Sequence, residues 1–133
     1  MNKISNEKPA IYDKLHEAFG VEWTAGLIIA NAGTIHTAVK FLPPAKIAHE
    51  EVHFIQQSKM NIDEWWEKYL ADPEFRLRME TEAYQAEVRY INKFIKDMNL
   101  AYQMKHDIAV TLASSVYGGI ITYSEALKLI QNK

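Results

Sequence analysis

The sequence predicts an α+β fold in which a small β-hairpin packs beside a mostly helical domain, and three observations carry that prediction. Apolar residues recur at helical spacing through most of the second half of the chain. One earlier stretch, residues 21–40, is instead rich in Val, Ile, Thr and Trp, and Asn31-Ala32-Gly33 interrupts it like a turn. Proline, glycine and capping residues then cut the remainder into segments of helix length.

Taken in order, Ile11 to Phe19 reads as a short helix on Ile11, Leu15, Ala18 and Phe19, stopped at Gly20. The hairpin follows, with strands near Trp23–Ala30 and Thr34–Val39. Pro43-Pro44 ends the strand region and suits the opening of a helix running to about Met60. Asn61-Ile62-Asp63-Glu64 signals the next helix, with Asp63 as its N-cap and Trp65, Trp66, Tyr69 and Leu70 as its apolar content. Asp72-Pro73-Glu74 opens a long helix expected to reach Asp97, and Ala101–Ser115 and Ser124–Ile130 complete the helical half.

The 133 residues fit one domain, spanning 1–133, with no repeat or low-complexity segment. Hydrophobic residues make up 48% and charged residues 24%, which suffices for a packed core without cross-links. Cysteine is absent, so disulfide scaffolds, thiolate metal clusters and cysteine nucleophiles are excluded. A formal charge of −2 gives no electrostatic footprint for nucleic acid. The polar N-terminus has no leader-like apolar region, and the longest apolar stretch, Ile108 to Tyr123, is shorter than the ~20 residues of a membrane span. The expectation is a soluble cytoplasmic protein, virion-associated if phage-encoded, with no membrane partner.

The chemistry concentrates in His49-Glu50-Glu51-Val52-His53, inside the helix that follows Pro43-Pro44. Residues four apart share a helical face, so both imidazoles can converge on one metal ion, and Glu50 stands where a general base for a water belongs. A random chain of this composition produces the pattern about 0.02 times. Ala48, Val52 and Ile55 form an adjoining apolar stripe expected to bury the other side of the helix. A hydrolytic zinc ion (Zn2+) takes three protein ligands and leaves a position for water. The extended metzincin form would place a third histidine at position 59, where Lys59 stands, so a glutamate from another helix is the remaining common solution.

The helix after Pro73 offers Glu80-Thr81-Glu82-Ala83-Tyr84. Here the chain resembles the gluzincin metallopeptidases, above all the minimal HExxH domains of small bacterial and phage proteins, over about Val21 to Tyr90. The resemblance implies a zincin-like domain and a zinc-dependent hydrolase of peptide bonds. It makes Glu80 the third ligand, with Ala83 as the small residue three positions on. Tyr84 then falls where those families carry an Asp or Asn that steadies a zinc-bound histidine. Glu82 is the alternative ligand; helical spacing favours Glu80, which shares a face with Ala83, Tyr84, Glu87, Ile91 and Phe94. The resemblance also implies a strand edge beside the motif for an extended peptide, and Thr34–Val39 is the expected edge.

Other residues invite functional readings that simpler ones outweigh. His16, His36 and His106 lack ligand spacing, His36 being the one in a strand near the motif. Trp65, Trp66 and Tyr69 read as core before pocket lining, and Gln56 and Gln57 as solvated helix surface before ligand-orienting groups. Tyr117 offers a hydroxyl to an oxyanion, with core packing as its plainer role. The competing function is a catalytically idle metal-binding domain that docks a partner in a virion, a toxin system or another larger protein assembly. Glu50 separates the two, because only a hydrolase needs it.

Overall fold

The computed structural model describes residues 3–131. Its elements are β1 (Lys3–Ser5), α1 (Tyr12–Phe19), β2 (Ile28–Asn31), β3 (Thr34–Thr37), α2 (Pro44–Ser58), α3 (Ile62–Ala71), α4 (Pro73–Phe94), α5 (Met98–Leu112), a 3-10 turn at Ser115–Tyr117, and α6 (Tyr123–Gln131). The class is α+β, mostly helical with one small sheet. No helix among the described residues is long and apolar enough to cross a membrane.

The hairpin forms, but shorter than the β-rich composition suggested. Thr24 accepts a hydrogen bond from Leu27 N–H at 3.1 Å, so a turn occupies residues that were expected in the strand, and β2 begins only at Ile28. Ala32 and Gly33 both take left-handed backbone, at φ 51° and 88°, which matches the twist a two-residue hairpin needs. The third strand was not expected. Lys3–Ser5 pairs parallel with β3, so the strand order is β1-β3-β2. The Asn6 carboxamide holds it there, donating to Thr37 O at 2.8 Å and Val39 O at 2.9 Å. Those bonds take over the carbonyls of Thr37 and Val39, and β3 ends at Thr37 instead of reaching Val39. With both sides paired, β3 is the central strand and cannot be a free edge; the edges are β1 and β2, and β2 is the one that lines the cavity.

Helix boundaries follow the capping chemistry. Gly20 closes α1 at φ 69°, its N–H bonded to His16 O. Asn61, not Asp63, caps α3: its side chain accepts from the N–H groups of Asp63 and Glu64. Asp72 caps α4 in the same way, with Pro73 at the first helical position. The long helix stops at Phe94 rather than Asp97, because Ile95 is extended and Asp97 serves as the cap of α5. Likewise α2 ends at Ser58, before Met60.

Two apolar cores lie side by side. One gathers Tyr84, Val88 and Ile91 of α4 with Ile108 and Leu112 of α5 and Ile130 of α6. The other joins Tyr12 and Leu15 of α1, Ile29 of β2, and Trp65, Trp66 and Tyr69 of α3 to Phe75 and Met79 of α4. Helix α4 contributes to both, and Glu80 falls between its two apolar stretches.

Candidate metal centre

Helix α2 packs along α4 with its polar face inward. Its buried residues are Ala45, His49, Glu50, His53, Gln56 and Gln57. The apolar stripe is not the buried face: Ile55 is 56% exposed, and Ala48 and Val52 are only half-buried. Burying imidazoles and carboxylates in place of an available isoleucine costs free energy unless each finds a partner. On α4 the facing residues are Glu80, Ala83, Tyr84 and Glu87, all buried, with fully enclosed Ala83 presenting only a methyl group.

Among the described residues, His49, His53 and Glu80 form a group able to hold a metal ion. The His49 and His53 Nε2 atoms lie 3.2 Å apart. Glu80 Oε1 is 3.2 Å from the first and 3.3 Å from the second. The three atoms thus make a nearly equilateral triangle. Tetrahedral coordination with bonds of about 2.0–2.1 Å has edges of about 3.3–3.4 Å, so the triangle matches one face of such a site. Glu82, the alternative, is exposed and accepts a hydrogen bond from Gln56 Nε2 at 2.8 Å, away from the triangle.

Each member of the triangle is held from behind. Gln56 donates from Nε2 to Met79 O and Glu82 Oε1, which turns its Oε1 toward His53 Nδ1 at 2.9 Å. Such an acceptor keeps the proton of a neutral His53 on Nδ1 and leaves the Nε2 lone pair pointing into the triangle. His49 Nδ1 lies 3.1 Å from Glu87 Oε1, within ion-pair reach though outside aligned hydrogen-bond geometry. Tyr69 donates to Glu80 Oε2 at 2.6 Å, leaving Oε1 as the inward oxygen. Gln56 therefore belongs to the cluster and is not solvated surface. Gln57, also buried, bonds to the hairpin. Tyr84, at the position the resemblance gave to the histidine's partner, only packs its ring on His49 with centroids 4.3 Å apart, and its hydroxyl pairs with Tyr117 at 2.6 Å. The charged partner is Glu87, one helical turn further along the same face of α4.

Protons alone satisfy this cluster poorly. With both Nδ1 atoms turned toward acceptors, neutral imidazoles present two lone pairs to each other and to a carboxylate oxygen. One added proton makes one good bond; two would set N–H donors against each other at 3.2 Å. The charges give the same answer. Glu50, Glu80 and Glu87 are all at least nine-tenths buried; Lys46 pairs with Glu87 at 2.7 Å, and buried Arg76 interacts electrostatically with Glu80. Three carboxylates gathered in so little space favour a cation among them. The metal-free cluster responds by drawing protons in. Burial lowers the basicity of His49, but Glu50, Glu80 and Glu87 outweigh it and raise its pKa to about 10. His53 is also raised, burial being overcome chiefly by Glu80. Glu80 falls well below the ordinary carboxylate range, burial being outweighed by the two histidines, whereas burial pushes Glu50 upward.

A cavity of about 510 Å³ opens onto the triangle. Glu50 lines it, with Oε2 3.7 Å from His49 Nε2, and so do Lys46, Trp65, Trp66, Tyr69, Tyr84 and Tyr117. Residues 26–30, including part of β2, also line it. Trp65 and Trp66 are thus both core and lining. The remaining histidines stand apart from the triangle and do not line the cavity: His16 Nδ1 bonds Val21 O, His36 Nδ1 bonds Glu7 O, and His106 Nδ1 bonds the Tyr123 hydroxyl.

No known protein family, curated protein or solved structure matches this chain.

Proposed function

We propose that the chain is a zinc-dependent hydrolase of peptide bonds, a minimal metallopeptidase of gluzincin type, in which His49, His53 and Glu80 hold the ion and Glu50 is the general base. The observation that carries this reading is the triangle of two imidazole nitrogens and one carboxylate oxygen facing an open cavity. Catalytic zinc sites use three protein ligands and keep a position open, whereas structural sites close all four. Bound there, zinc supplies Lewis acidity toward a carbonyl oxygen and toward water.

The chain's own residues do the rest. Glu50, next to a ligand but outside the triangle, takes a proton from water and delivers it to the leaving amine nitrogen. Tyr117, half-buried in the cavity wall, offers its hydroxyl to the oxyanion that develops on the substrate. An extended peptide lies along β2, pairing with the outward N–H and C=O groups that β3 leaves free. The burial of Glu50 strengthens its charge interactions in the site.

An idle metal-binding module has no use for a carboxylate buried at the Glu50 position. Glu50→Gln should keep zinc stoichiometry and the folded state while lowering the rate by at least ~10²–10⁴. The assay exposes a denatured protein mixture to each form, with a chelator control, and reads new N-termini by mass spectrometry. Undiminished cleavage by Glu50→Gln refutes the mechanism. Absence of chelator-sensitive cleavage by the native chain refutes the hydrolase reading.

A further inference from the structure

The β2 edge of the sheet is not open along its whole length. In an antiparallel pair, alternate residues turn both backbone groups toward the partner strand. The pairing of Asn31 with Thr34 across the two-residue turn assigns Asn31 and Ile29 to the inner set, so Ile28 and Ala30 present their groups outward. Gln57 already occupies part of that outward row. Its Nε2 donates to Ala30 O at 2.9 Å, and its Oε1 accepts from Ala32 N–H at 3.1 Å. One carboxamide bonding a carbonyl and the N–H two residues on is the pattern a parallel strand residue would make. A buried side chain thus stands where an added strand would continue.

A second observation closes the same end. Trp66 donates its indole N–H to Asn31 Oδ1 at 2.9 Å. The cavity wall accordingly runs along β2 as far as Ala30 and includes neither Asn31 nor Gln57. What remains for a peptide is Ile28 N–H, Ile28 C=O and Ala30 N–H. Gln57 is one helical turn beyond His53, about 6 Å along α2. Extended chain advances about 3.3 Å per residue, so about two residues fit between the metal triangle and the closed end.

We infer that the groove is blind at the Gln57 end, so that this chain acts on peptide bonds within about three residues of a chain terminus and not on bonds deep inside a polypeptide. The inference rests on the hydrolase reading above and names its substrate class. Gln57 is the specificity-determining residue, acting by occupying strand-pairing groups and the space beside them. Which terminus enters depends on whether the peptide pairs antiparallel or parallel to β2, and Ile28 and Ala30 offer groups for either.

The test uses the zinc-loaded full chain and a set of synthetic peptides of mixed sequence. They are offered linear, blocked at the N-terminus, blocked at the C-terminus, and cyclised head to tail. Products are read by mass spectrometry. The native chain should cut linear peptides near one terminus with a preference of roughly tenfold or more over internal bonds, as exclusion by a built-in clash gives. It should spare the cyclic forms, and blocking one terminus but not the other should slow it. Gln57→Ala should lose that preference and begin to cut cyclic peptides, with zinc content and circular dichroism establishing that it is folded. Internal or cyclic cleavage by the native chain, as fast as terminal cleavage, overturns the inference while leaving the hydrolase standing. An unchanged product pattern from folded Gln57→Ala overturns the role of Gln57. If neither protein cuts any peptide, the hydrolase reading falls and this inference with it. Should Gln57→Ala fail to fold, the native product pattern still decides the blind groove, and Gln57→Ser repeats the comparison with a smaller loss of contact.

Discussion

Replacing Glu87 with glutamine tests the electrostatic argument for the metal centre more sharply than removing a ligand. Glu87 is 1% exposed, lies 3.1 Å from His49 Nδ1 and 2.7 Å from Lys46 Nζ, and is not part of the triangle. Glutamine keeps the shape and an acceptor oxygen for His49 but deletes one of the three buried negative charges. The cluster then sets less negative charge against a divalent ion, and His49 loses a partner that makes it a better donor. Substitution of such outer partners typically costs 10–100-fold in metal affinity, about 1.4–2.7 kcal/mol. Near-complete burial should put Glu87→Gln in the upper half of that range. The measurement is zinc titration in competition with a chromophoric chelator, followed also through tryptophan fluorescence, since the Trp65 ring centroid lies 5.7 Å from that of His53. Thermal melts of both metal-free proteins separate weakened binding from unfolding. An affinity within threefold of the native chain would refute the reasoning, because the charge balance would then have no bearing on the ion.

Three further outcomes are expected. His49→Ala and His53→Ala should each abolish stoichiometric zinc, and Glu80→Gln should weaken it strongly while exposed Glu82→Gln leaves it nearly intact, as metal analysis of the purified proteins will show. Ala83→Leu should destabilise by at least ~1–3 kcal/mol in denaturant melts, because Ala83 is fully enclosed on the face of α4 that meets α2. Asn61→Ala should cost about 1 kcal/mol by removing the α3 cap, whereas Asp63→Ala, although also in the first turn, should cost less.

The helical half was legible because its signals are local. Proline at the first helical position and a capping Asp72 stand within a few residues of each other, and a Gly20 stop needs no tertiary partner. The strands were harder. Composition made residues 23–27 look extended, yet a turn bonded through Thr24 decides otherwise. A three-residue strand at Lys3–Ser5 has no pattern of its own and exists because Asn6 ties it to β3. That strand in turn converts β3 from an edge to the centre, so one short element left β2 as the sheet edge that lines the cavity.

At the site, spacing alone placed His49 and His53 on one face, and periodicity on α4 preferred Glu80 to Glu82. Glu87 escaped, and Gln56 and Tyr69 read first as surface and core, because their roles depend on which face of α2 turns inward. An apolar stripe normally decides that question, and here the polar stripe won. A signal for Glu87 was nonetheless present: it stands seven residues after Glu80, two turns along the same face.

Helix α4 has 22 residues and is thus about 33 Å long, and its two ends are embedded in different apolar cores. A rod shared in this way makes the cores cooperative, because neither can open without uncovering half of it. The acidic cluster sits at the rod's midpoint, so an ion held there would act where the two halves meet. Backbone amides near Met79 and near Ile91 should therefore exchange with solvent in one concerted opening, and filling the site should slow both by the same factor.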